Sequence, residues 1–296
     1  MRVEVNQHTL QEIAEDYEAA ISWVAASGFP VEQGRLAEYR RTISELSGNF
    51  ATDGWGNLDD DKHRERVCTA LLEVRELVSI HRGLTSLEDA DATKDLRRYL
   101  KGPFSPTSES AHNASNHPRN VGFELYLNAL FSFAGFRPAY GSNADLSCNH
   151  LGQTFFVEAK RPTNANAVKG LIHDANRQLS RRLKQLRRHH AKGIIALDLT
   201  KITNPQSKVM PVFSEDQLYN LMYNEDRRQI DALSSHWHSG RHRRTVGVLL
   251  HYRLLSNFVQ TGALNTVKWI GFVKLADDPA LDGINKKLES AIPLVC

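Results

Sequence analysis

The sequence predicts an α/β protein: a mixed central sheet flanked by helices, preceded by an all-helical N-terminal region. Three observations lead there. Up to about residue 100 the apolar residues recur at helical spacing. Beyond residue 120, strand-length apolar runs alternate with helical stretches. Between them, residues 103–118 are rich in Ser, Asn, His and Pro and lack periodicity, which marks a linker or loop. The expected division is a helical region over 1–112, serving substrate, partner or dimer contacts, and an α/β domain over 113–296.

Leu10, Ile13, Ala14, Tyr17, Ala20, Ile21 and Val24 share one face of a first helix, stopped by Gly28-Phe29-Pro30. A second helix is expected over 32–46, then a loop over 48–61 in which Gly54 and Gly56 flank Trp55. Val67, Leu71, Leu72, Val74, Leu77, Val78 and His81 line a third helix, and a short helix over 87–100 ends at Gly102-Pro103. Residues 120–134 form an apolar helix and 136–140 a short strand. Residues 145–148 and 154–160 form a hairpin turned around 149–153, with Gly152 inside. A long amphipathic helix over 167–190 leads to a buried strand over 193–199, read from the apolar run GIIALDL. Helices over 215–223 and 227–238 and strands over 245–254 and 267–275 complete the reading.

Composition is that of an ordinary globular protein, with 41% hydrophobic and 24% charged residues. No run approaches the roughly 18 apolar residues that cross a bilayer. Residues 1–10 are polar and lack the apolar core of a signal peptide, so the cytoplasm is the expected compartment. Cys68, Cys148 and Cys296 lie far apart and suit free thiols in a reducing environment. A net charge of +3 is too small to argue for nucleic acid by itself.

The chemistry concentrates in one stretch. Asp145 opens the first strand of the expected hairpin, and Glu158-Ala159-Lys160 closes the second. Alternation along a strand puts Glu158 and Lys160 on one face, and pairing lets Asp145 reach it. Two carboxylates and an ammonium converging at a strand end are costly as packing alone. They are useful for holding a divalent metal beside a water.

With Glu124 in the preceding helix (Gly122-Phe123-Glu124-Leu125-Tyr126), this order resembles the PD-(D/E)xK, restriction-endonuclease-like, nuclease superfamily. The resemblance covers residues 120–200. Ala144 stands where the family name has proline. Gln178-Leu179, in the helix that follows, matches a glutamine-leucine motif seen in several branches, including exonucleases and type IV restriction-like enzymes. The resemblance implies a restriction-endonuclease-like fold and a Mg²⁺- or Mn²⁺-dependent deoxyribonuclease of restriction, phage defence or repair, with RNA still open as substrate. It implies Asp145, Glu158, the Ala159 carbonyl and Glu124 as metal ligands, with Lys160 and Gln178 completing the catalytic set. Lys160 would orient or deprotonate the attacking water, or stabilise phosphoryl oxygens. It is also compatible with a homodimer, with a partner subunit supplying an ATPase or sensor, or with a catalytically silent subunit that binds DNA or protein.

From Arg177 the chain reads RQLSRRLKQLRRHHAK. Leu171, Ala175, Leu179, Leu183 and Leu186 make an apolar stripe. Arg177, Arg181, Lys184 and Arg188 make a basic one, with Arg182 and Arg187 beside it. Such a helix can present guanidinium groups to a phosphate backbone, so Arg177, Arg181, Arg182, Lys184 and Arg188 are the candidate DNA contacts. His236, His238 and His242 surround Trp237 without a fourth zinc ligand in pattern and read as a surface cluster. No GxxxxGK[ST] loop is present, so the chain carries no nucleotide motor of that kind.

Overall fold

A computed structural model describes residues 2–6, 9–84, 90–108, 117–139, 144–186, 190–277 and 280–295. The order begins β1 (Arg2–Asn6), α1 (Leu10–Ala26), α2 (Gly34–Asp53), α3 (Asp61–Leu84) and α4 (Ala90–Tyr99). A single 3-10 turn at Pro106–Ser108 precedes α5 (His117–Phe133). Then come β2 (Arg137–Ala139), β3 (Leu146–His150), β4 (Gln153–Lys160), α6 (Ala165–Gln185), β5 (Ala191–Asp198), the one-turn α7 (Thr200–Thr203) and β6 (Met210–Val212). The described chain ends with α8 (Glu215–His238), β7 (Thr245–Phe258), β8 (Ala263–Lys274) and α9 (Ala280–Val295).

The strands form one mixed sheet in the order β1-β8-β7-β5-β4-β3-β2, with β6 pairing to β7 off that path. β2, β3 and β4 are successively antiparallel, whereas β4, β5 and β7 run parallel. Alternation along the strands splits the core in two. Phe155, Val157, Ile194 and Ala196 face the N-terminal helices, α5 and α9. Ile195, Leu197, Val248, Leu250 and Trp269 face α6 and α8. Helices thus cover both faces, as parallel strands require. α5 is buried almost all round, from Val121 to Phe131. α3 crosses it so closely that a Cβ at Gly83 would lie 2.3 Å from the Ala129 Cβ.

Several sequence expectations need correction. The helices expected over 215–223 and 227–238 are one, because no breaker separates them and Leu218, Met222, Asp226, Gln229, Leu233 and Trp237 continue a single buried stripe. α2 runs on through 48–53, expected as loop, and stops where Gly54 takes φ 56°. α6 starts at Ala165, since the Asn164 side chain caps it by accepting from the Ala167 amide, and it ends at Gln185. Arg244 donates to the Leu183 and Leu186 carbonyls there and closes the helix end. Pro118 sits in the first turn of α5, where proline is tolerated, and so belongs to a helix and not to the linker. β1, β6, α7 and α9 had no clear local signal. The chain position 112/113, expected as a boundary, lies outside the described residues. One apolar cluster includes residues from both sides of it, from Leu10 to Ile292.

On the α3 side of the sheet lies a layer of buried charge. Glu73 receives Arg119 at 3.1 Å, Arg35 at 3.4 Å and Arg253 at 3.6 Å, while Arg253 also reaches Glu76 at 2.6 Å. Asp198 pairs with Arg161 and His251, each at 3.3 Å. Burial alone would raise the Glu73 pKa, but Arg119, Arg253 and Arg35 outweigh it and hold the carboxyl at about 2. Burial keeps the His251 imidazole below its ordinary range.

Truncating one partner of such a layer leaves uncompensated charge in the core. Glu73→Gln should lose about 3–5 kcal/mol of unfolding free energy in urea titrations. Because the folded Glu73 pKa is depressed, its contribution is present above the ordinary glutamate value of 4.5 and is lost as pH falls toward about 2. The stability gap between wild type and Glu73→Gln should therefore narrow over that acid window.

Candidate metal and phosphate site

The hairpin assembles the site. Leu151 and Gly152 form its two-residue turn with φ of 48° and 76°, the paired left-handed conformation of a type I′ turn. That turn sets the register, with His150 opposite Gln153 and Leu146 opposite Val157. Asp145, one residue before Leu146, is thereby brought level with Glu158. Phe155, Val157 and Ala159 point to the α5 side, so Glu158 and Lys160 point to the α6 side.

The side chains converge on the Lys160 ammonium. Its Nζ lies 3.1 Å from Asp145 Oδ2 and 3.3 Å from Glu158 Oε2. The Ala159 amide donates to the same Asp145 oxygen at 2.9 Å. Glu158 is fully buried, and its Oε1 is held by the Arg182 guanidinium of α6. Burial lowers the Arg182 pKa, and the field of Asp145 opposes that. Arg182 is thus a member of the site. Sequence spacing placed it beside the basic stripe, and the signal that could have found it is its position one turn after Gln178 on α6.

Glu124 is half-buried on α5. Its pKa rises to about 8 through burial, then Asp145 and Asp95, against Lys160 and Arg98. Asp95 and Arg98 come from α4, bridged at 3.0 Å. Tyr99 of that helix packs against Gly122, where an added Cβ would meet its ring at 2.6 Å. The N-terminal helices therefore reach the electrostatic surroundings of the site, which the sequence did not reveal.

The other candidates spread along α6. Arg177, Gln178, Arg181 and Lys184 are exposed, with Arg177 bridged to Asp174 at 2.7 Å. Arg187 and Arg188 lie outside the described residues. An open groove of about 490 Å³ runs between α6 and the turn at Ser239-Gly240, lined by His173, Asn176, Arg177, Ser180, Arg181 and Lys184. The groove is positive: at neighbouring His242, burial and the charges of Arg244, Arg243 and Lys184 all lower the pKa.

The donor set suits a hard divalent ion held by two carboxylates, because oxygens of Asp145 and Glu158 already meet at one ammonium. Among the described residues no group of three or more His, Cys, Asp or Glu forms a metal cluster. Asp145, Glu158 and Glu124 are not such a group among the described residues, and neither are His236, His238 and His242. Cys68 and Cys148 are free, and burial pushes both thiols up to about 12. No helix among the described residues is long and apolar enough to cross a membrane. Comparison with family models, curated proteins and solved structures returned no match.

The raised Glu124 pKa has a definite sign. The stability that goes with its protonated state is fully present below the ordinary glutamate value of 4.5 and is lost as pH rises through about 8. In chelator-treated, metal-free protein, Glu124→Gln should melt close to wild type at the acid end of this window. It should melt a few degrees higher at the alkaline end, where a thermal scan showing no widening gap would contradict the assignment.

Proposed function

We propose that this chain is a metal-dependent nuclease that hydrolyses DNA phosphodiester bonds, and that its catalytic centre has the restriction-endonuclease-like plan. The single observation that carries the reading is the meeting of Asp145 and Glu158 at Lys160 on one face of a hairpin end. The order α5-β2-β3-β4-α6-β5 around it supports the same reading, since it is the order the motif resemblance implies. The basic groove beside α6 supports nucleic acid as the substrate class.

Asp145 and Glu158 would hold Mg²⁺ or Mn²⁺, with the Ala159 carbonyl as a further oxygen and Glu124 joining through water. The ion, when bound, supplies Lewis-acid stabilisation of the phosphoryl group and lowers the pKa of a water. Arg182 would leave Glu158 Oε1 were that carboxylate to hold the ion, and its guanidinium would then be free to pair with a phosphate oxygen. Lys160, anchored by both carboxylates, donates to the attacking water and keeps its lone pair directed at phosphorus. Gln178 sits one turn from Arg182, where it can contact the same strand of substrate. Arg177, Arg181 and Lys184 neutralise the phosphates that follow.

The fully buried Glu158, held by two cations, favours a second reading: a nuclease-fold subunit that binds DNA without cutting it. The two readings separate cleanly. With Mg²⁺ or Mn²⁺, purified protein should cut plasmid or linear DNA, and Asp145→Ala or Lys160→Ala should cut about 100-fold more slowly or worse. Equal cleavage by wild type and both variants would sink the site. Salt-sensitive binding that survives chelator, with no cleavage under either metal, would establish the silent subunit. Arg181→Ala with Lys184→Ala should weaken binding and flatten its salt dependence by about two charges.

A further inference from the structure

A second cavity lies across the sheet from the site just described. Arg161 follows Lys160, and alternation turns it to the opposite face, where it pairs with Asp198 at 3.3 Å. There the ends of β4 and β5 and the middle of β7 meet α3, α7 and the turn at Pro106. They enclose a cavity of about 40 Å³. Its polar lining comprises Thr69, Glu73, Arg161, Thr200, Lys201 and Arg253. Three cations thus line it with one carboxylate, Arg161 being paired with Asp198 and Arg253 with Glu76 behind the lining. That carboxylate, Glu73, is already engaged by Arg35, Arg119 and Arg253.

Two polar groups in the lining have no hydrogen-bond partner among the described residues. Thr69 Oγ1 is buried without a hydrogen bond, and so is Arg253 Nε. Both residues are at least nine-tenths buried, at 2% and 4% exposure. Leaving such groups unmet costs about 1–3 kcal/mol each. The surrounding frame is fixed: the Thr200 hydroxyl donates to Asp198 and accepts from the Arg253 amide, and Lys201 donates to the Pro106 carbonyl at 2.7 Å. The position is also the usual one for ligands in α/β proteins, outside the carboxyl ends of parallel strands.

We propose that this cavity binds a phosphate group, with Arg161, Arg253 and Lys201 supplying charge and Thr69 a hydroxyl. The cavity is small enough to suit the oxyanion, with any attached nucleoside toward its mouth. Inorganic phosphate and a nucleoside 5′-monophosphate present the same chemistry there. The site is separate from the candidate catalytic centre and does not depend on that centre cutting DNA.

The test is thermal melting and calorimetric titration of the full chain with inorganic phosphate and with AMP, at constant ionic strength in chloride. Constant ionic strength matters because phosphate stabilises proteins weakly by exclusion alone. A saturable rise in Tm of several degrees is expected for wild type. Lys201→Gln and the near-isosteric Thr69→Val should each bind about tenfold more weakly. Equal responses to phosphate and AMP identify the free oxyanion as ligand, and a tighter response to AMP identifies the nucleotide. A non-saturating response, or saturable responses identical in wild type and Lys201→Gln, overturns the proposal. If Thr69→Val fails to fold, Lys201→Gln decides, because its half-exposed side chain is dispensable for the core.

Discussion

The buried carboxylate of Glu73 holds the molecule's parts together. It receives guanidinium groups from α2, α5 and β7, through Arg35, Arg119 and Arg253. A lone carboxylate in that position would cost several kcal/mol to desolvate, and three arginines repay this only by meeting at one point. Arg119 also donates to Tyr39 and to the Pro103 and Phe104 carbonyls, so the connection after α4 is tied to the same group. The helical N-terminal region is thereby bound to the sheet by charge as well as by apolar packing. Arranging these charges demands a defined position for α2, α3, α5 and β7 relative to one another.

The end of β4 divides two kinds of polar chemistry. Glu158 and Lys160 lie on the α6 side, and Arg161 turns to the α3 side. The period of two in a strand is sufficient to make this separation. On the first side, the carboxylates of Asp145 and Glu158 are half-exposed and buried respectively, and Lys160 and Arg182 answer them. On the second, burial is opposed at Asp198 by the His251 hydrogen bond first, then by Arg253 and Arg161, and at Glu73 by its arginines. Both layers meet the ends of the parallel strands β4 and β5, where backbone groups leave the ladder and side chains converge.

Much of this was legible in the sequence. The hairpin was readable because two apolar runs flank a glycine-bearing turn, and its register then brings Asp145 level with Glu158. The amphipathic character of α6 was readable from its leucine spacing. The pairing of Arg182 with Glu158 was not legible, because helical spacing gives a residue's angle on its helix but not what stands opposite. Asp95 and Arg98 were missed for the same reason: their relation to Glu124 arises only when α4 packs on α5. β1 was missed because five short residues have little local pattern, and their pairing to β8 spans nearly the whole chain.

By itself the sequence determined the local elements and the residue types at the hairpin end. Those depend on periodicity, turn conformation and side-chain chemistry, which act within a few residues. Only the tertiary structure decided which cations meet Glu158, which arginines share Glu73, and which cavity opens beyond Arg161. Those outcomes depend on contacts between segments far apart in the chain, such as Arg253 with Leu72. Desolvation makes such contacts decisive, because a buried charge is tolerable only where the fold supplies its partners.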